Sequence, residues 1–109
     1  MKKQIISYIN NNQQECVDFL KKLVALDTTN INHGIDGGHE LNGQEVISNK
    51  FKELGLRVET FQPDNKQLKK YREASLGHDY QQRPNVIGRL EGTGKGNSLI
   101  LNGHIDTMP

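Results

Sequence analysis

Apolar positions along the chain fall first into helical stripes and then into alternating runs. From about Gln13 to Leu26 they recur at Cys16, Val17, Phe19, Leu20, Leu23 and Val24, which is one face of an amphipathic helix. Asn12 stands where an N-cap would, and Glu15 sits three residues further on, as in a capping box. Ile5, Ile6 and Ile9 predict an earlier helical turn packed on the same core. Asp27 to Gly43, rich in asparagine, glycine and histidine, reads as a loop. A loop of that length is more often functional than idle. A second helix is predicted over about Gln44 to Leu54, with Val46, Ile47, Phe51 and Leu54 on its apolar face. Gly55 is the residue that can end it in a left-handed conformation.

Leu56 to Phe61 alternates, with Leu56 and Val58 on one side and Arg57 and Glu59 on the other, as in a half-buried strand. Pro63 and Asp64 make a turn, Asn65 to Ala74 suits a short exposed helix, and Leu76 to Arg83 is irregular. Pro84 to Glu91 and Asn97 to Ile105 read as two further strands. The glycine-rich stretch Gly92 to Gly96 between them predicts an antiparallel hairpin of Asn85–Leu90 with Ser98–Gly103. Leu99, Ile100 and Leu101 are continuously apolar, as in a strand covered on both faces. The fold class is therefore α/β. Two good helices barely supply such cover, and the chain stops just after polar, site-like residues. Both features predict that part of the domain is missing.

Composition narrows the function. The chain has 109 residues, which suits one small domain, with net charge +1 and a charged fraction of 25%. The basic stretch Lys66, Lys69, Lys70 and Arg72 is flanked by Asp64 and Glu73 and reads as a solvated helix face. No nucleic-acid partner is expected. The early apolar run is too short for a signal peptide, and no run approaches the length of a membrane span. The expectation is a soluble cytoplasmic protein with no membrane partner. Cys16, the single cysteine, can form no intrachain disulfide and reads as a small buried helix residue.

The glycines at 92, 94 and 96 miss the spacing of a phosphate-binding loop, and a strand rather than a helix follows them. His33 and His39 lie in the long loop with Asp36 and Glu40, and His78 lies beside Asp79; each reads as a surface histidine, with no known ligand spacing in the loop. His104 has a different context. It ends an apolar strand, follows Gly103, and is followed two residues later by Asp106. In extended chain, residues i and i+2 point to the same side. A metal-bound histidine usually gives its second ring N–H to a carboxylate. Ligand sites in open α/β sheets lie beyond the carboxyl ends of strands. Taken by spacing alone, such a pair is more often structural than functional.

The run Leu99-Ile100-Leu101-Asn102-Gly103-His104-Ile105-Asp106-Thr107-Met108-Pro109 resembles the first metal-site signature of the peptidase M20 family: a hydrophobic strand, then G-H-x-D, then a small or apolar residue and often proline. Arg83-Pro84-Asn85-Val86-Ile87-Gly88-Arg89-Leu90 is similar to that family's preceding strand. Val24 to Asn30 resembles its N-terminal helix and loop, and the second helix, with Glu45 opening its apolar face, also fits. The branch it resembles most contains acetylornithine deacetylase and succinyl-diaminopimelate desuccinylase.

The resemblance implies a three-layer αβα catalytic domain with a mixed sheet, of which residues 1–109 would be the N-terminal portion. The C-terminal half and the dimerisation domain would be absent. It implies His104 as a ligand to one of two zinc ions, with cobalt as a substitute, and Asp106 as the active-site carboxylate behind it. It implies hydrolysis of the amide bond of a small N-acyl amino acid or related N-acyl amine, and a homodimeric full-length form. One histidine cannot hold a catalytic zinc, which takes three protein ligands plus water, so the chain alone would be inactive. The alternative is a non-catalytic binding or regulatory module with the same fold start. A serine or cysteine hydrolase is disfavoured, because the chain has no G-x-S-x-G elbow and Cys16 is mid-helix.

Overall fold

A computed structural model of the chain describes residues 1–30, 38–74 and 78–108. Its elements are α1 (Lys2–Asn11), α2 (Gln13–Val24), α3 (Glu40–Glu53), β1 (Arg57–Phe61), α4 (Asn65–Leu68) and β2 (Asn85–Arg89). The architecture is mixed α/β. β1 and β2 form a two-stranded antiparallel sheet with Arg57 opposite Arg89, Glu59 opposite Ile87 and Phe61 opposite Asn85.

α3 packs on both strands. Gly88 lies directly under that contact. A Cβ there would lie 2.6 Å from Phe51 Cδ2 and 2.7 Å from Leu56 Cδ2. Gly88→Ala is therefore expected to push α3 off the sheet and cost about 1–3 kcal/mol, as overpacking does, read from the urea midpoint. An unchanged midpoint would show that Phe51 swings aside freely. The helix ends as its sequence implies. Gly55 has φ 79°, its N–H donates to Lys52 O at 2.9 Å, and Leu56 N donates to Phe51 O at 2.9 Å. Those two bonds are a Schellman closure, which turns the chain directly into β1.

α3 begins one turn earlier than the apolar pattern indicates, because Glu40 and Gly43 are buried members of it. Asn12 does not cap α2 through its side chain. Its Nδ2 donates backwards to Tyr8 O at 2.7 Å, closing α1 at the bend between the two helices. α1 is a full helix rather than a turn, but it contributes no buried side chain, and Ile5, Ile6 and Ile9 remain exposed. Cys16 is exposed as well, contrary to its expected burial, because the α2 stripe turns only Phe19, Leu23 and Leu26 partly inward. Lys50 links α2 to α3. It pairs with Glu15 at 3.1 Å and stands 5.7 Å from the Phe19 ring centroid, and its bond to Glu15 raises its pKa.

The hairpin of Asn85–Leu90 with Ser98–Gly103 does not form. β2 takes β1 as its partner, and residues 97–105 form no strand. Leu99, Ile100 and Leu101 are 81%, 87% and 88% exposed. A continuously apolar strand needs a layer over each face, whereas α3 lies on β1 and β2. Among the described residues no apolar side chain is fully buried, and the buried polar ones are Thr28 and Glu40. The radius of gyration is 16.9 Å, against about 13 Å for a compact chain of this length. No helix among the described residues is long and apolar enough to cross a membrane.

Candidate functional site

The residues after α2 and the residues around 105–107 are joined side by side. Thr107 N donates to Thr28 O at 3.0 Å, and Asn30 N donates to Thr107 O at 3.0 Å, with Thr29 and Thr107 in a parallel bridge. The Thr28 hydroxyl, almost wholly buried, donates to Ile105 O at 2.8 Å. Gly43 makes the seam possible. A Cβ on this α3 residue would fall 2.5 Å from Ile105 Cδ1 and 2.8 Å from Thr28 Cγ2. Bare backbone at one helical position lets both segments lie against α3, and so brings Asn30 beside Asp106.

His104 and Asp106 are in contact. His104 Nδ1 lies 3.1 Å from Asp106 Oδ1 and 3.2 Å from the Asp106 carbonyl oxygen. Both partners are acceptors, so Nδ1 carries a proton, and in the neutral ring Nε2 then keeps its lone pair. The His104 side chain is 82% exposed and that of Asp106 only 30%. The other carboxylate oxygen of Asp106 accepts from Asn30 Nδ2 at 2.7 Å. Asn30 Oδ1 in turn accepts from Arg83 Nη2 at 3.3 Å. Arg83 forks onto Glu40, with Nε 3.0 Å from each carboxylate oxygen and Nη2 2.6 Å from Oε1. The Arg83 and Glu40 side chains are only 15% and 10% exposed. The hydrogen bonds to Glu40 raise the Arg83 pKa against the opposing effect of burial, and the charge of Asp106 adds to the rise.

These groups line an open cleft of about 230 Å³, together with Tyr80, Pro84 and Asn85. Among the described residues no group of three or more His, Cys, Asp or Glu side chains is placed to hold a metal ion. The donor set fits one arm of a metal site, an outward imidazole Nε2 backed by a carboxylate. It does not fit a complete catalytic zinc centre.

The remaining histidines have other surroundings. His39 Nδ1 lies 2.6 Å from Asp27 Oδ2, and His78 meets the Tyr80 ring edge-on. His33 and Asp36, which the sequence places in the same loop, lie outside the described residues, as does Pro109. Asp27 accepts from the Thr29 hydroxyl at 2.7 Å and from Thr29 N at 3.1 Å. The Thr29 hydroxyl, then the Thr29 N–H, then His39, hold its pKa down at about 2 instead of the ordinary 3.8. A lowered carboxylate pKa stabilises the fold above the unfolded value and ceases to do so as pH falls through the folded one. The clasp from α2 to the start of α3 is thus expected to persist down to about pH 3.8 and be lost toward pH 2. The Asp27 carboxyl carbon signal is expected to titrate near 2, and Thr29→Val to raise that midpoint. A midpoint at the ordinary value in the unmodified chain would show that the clasp does not form.

Spacing alone gave no warning of Glu40, Arg83 or Asn30 as partners. In the sequence Glu40 is one of several polar residues of a long loop, and Arg83 is a polar residue just before a strand. Compared with known families, characterised proteins and solved structures, the chain matches no family model, no curated protein and no solved structure.

Proposed function

We propose that this chain carries part of the catalytic domain of a metal-dependent amidohydrolase of the peptidase M20 type, a three-layer αβα domain working in the cytoplasm on small N-acyl amino acids or related amines. The observation that supports it is the His104–Asp106 contact. Nδ1 is held on a carboxylate, which leaves Nε2 as the metal-binding nitrogen at the mouth of a polar cleft.

In this reading His104 holds a zinc ion through Nε2. Asp106 fixes its tautomer and raises its basicity. A bound zinc would supply Lewis-acid polarisation and an ionised water. Among the described residues no set of three ligands is assembled, so the 109-residue chain is expected to bind metal weakly and to release no amine from N-acyl amino acids. Calorimetric titration of the chain with Zn²⁺ tests the assignment. Weak binding that disappears in His104→Ala supports it, and binding that survives unchanged in that variant removes its basis. Zinc-dependent amine release by the chain alone would contradict the ligand count.

A further inference from the structure

We propose that Asn30 and Arg83 are positioning residues that set the His104 ring through Asp106, so that α3 holds the orientation of the exposed imidazole. Arg83 has only donors and the carboxylate of Asp106 only acceptors. An amide between them can satisfy both in one orientation, with oxygen toward Arg83 and NH₂ toward Asp106. Asn30 has that orientation, at 3.3 Å and 2.7 Å.

Arg83 is fixed in turn by its fork onto Glu40, in the first turn of α3. A bidentate guanidinium–carboxylate pair has geometric specificity that a lysine cannot reproduce. With Oδ2 of Asp106 engaged by Asn30, Oδ1 is the oxygen turned toward His104. The contacts run from a nearly buried ion pair to a side chain that is 82% exposed. An exposed ring has little packing to orient it, so its direction comes from this polar chain together with the Asp106 carbonyl oxygen 3.2 Å from Nδ1.

The inference concerns the ring itself. It rests on the proposed metal role only for its consequence in zinc affinity. The test is the ¹⁵N spectrum of the His104 ring in the full 109-residue chain, at a pH where the imidazole is neutral. The unmodified chain is expected to show the Nδ1–H tautomer as dominant; a dominant Nε2–H form overturns the proposal without any variant. Asn30→Leu, which leaves the Arg83–Glu40 pair in place, is expected to lose that dominance while helix content by circular dichroism stays unchanged. Arg83→Lys provides the same test should Asn30→Leu fail to fold.

A His104 tautomer indifferent to a folded variant overturns the proposal, because a purely structural role for Asn30 would not move it. Zinc affinity is expected to fall about tenfold in Asn30→Leu, the low end of the range for groups behind a metal ligand. A tautomer change without a change in zinc affinity leaves the positioning intact and counts against the metal role. Zinc binding lost in His104→Ala, with an unmoved tautomer in Asn30→Leu, does the reverse.

Discussion

Replacing Glu40 with alanine is expected to cost about 2–3 kcal/mol of folding stability, below the range for a fully buried ion pair because these contacts are only part-buried. The loss comes mostly from what remains. Arg83 would keep its charge in a site where its side chain is 15% exposed, with the Asp79 carbonyl oxygen, the Tyr80 ring, the amide of Asn30 and the weaker field of Asp106 as its remaining neighbours. Few other contacts can absorb the change, since no apolar side chain among the described residues is fully buried. Arg83→Lys keeps the charge but loses the fork, and a smaller cost of about 1–2 kcal/mol is expected. Replacing both residues by Met and Leu is expected to cost far less than the sum of the single losses, because no unpaired charge is then left. Urea denaturation followed by circular dichroism measures all three. A loss below about 1 kcal/mol in Glu40→Ala would mean that solvent screens the pair as it screens a surface one.

The second large effect is expected at Asp106. Asp106→Asn is expected to weaken zinc binding about 10–100-fold. The carboxylate accepts on both sides, from Asn30 Nδ2 at 2.7 Å and from His104 Nδ1 at 3.1 Å. An asparagine offers one acceptor and one NH₂ group. If its oxygen faces Asn30, its NH₂ faces His104 and drives the proton to Nε2, which occupies the lone pair a metal needs. If its oxygen faces His104, two NH₂ groups oppose each other. The first arrangement keeps both contacts but reverses the one to His104, and the second loses the bond to Asn30. Equilibrium dialysis against Zn²⁺ gives the ratio. Equal affinity in the two proteins would show that the tautomer does not limit binding.

The sequence was informative where the determining interaction is local. Gly55 ends α3 because one residue must take φ 79°, and that demand shows in a helical stripe followed by glycine. β1 follows from period-two alternation over Leu56 to Phe61, and β2 from the short apolar run Val86–Ile87 after Pro84. His104 and Asp106 meet because they are two residues apart in extended chain, a relation any reader of the sequence can draw. Residues 97–105 mislead for the complementary reason. Their apolar run is a statement about strand preference, and strands exist by pairing; β2 pairs with β1, leaving Leu99 to Leu101 without cover.

A side chain near a helix boundary can serve either helix, and Asn12 bonds back to Tyr8 instead of capping α2. The polar chain behind His104 was invisible on other grounds. Asn30 and Asp106 are 76 residues apart, Arg83 and Asn30 are 53 apart, and Arg83 and Glu40 are 43 apart. Periodicity carries nothing over such separations. The first pair is brought together by the backbone seam of Thr28 and Asn30 with Thr107, for which Gly43 leaves room against α3.

The most direct test of the central claim is a titration of the chain with Zn²⁺, with the ring nitrogens of its four histidines followed by ¹H–¹⁵N correlation. The account predicts that His104 Nε2 responds first and most, with Nδ1 still protonated and bonded to Asp106. A response confined to His33, His39 or His78, with His104 unmoved, would contradict it and transfer any metal affinity to the loop between α2 and α3 or to the segment before β2.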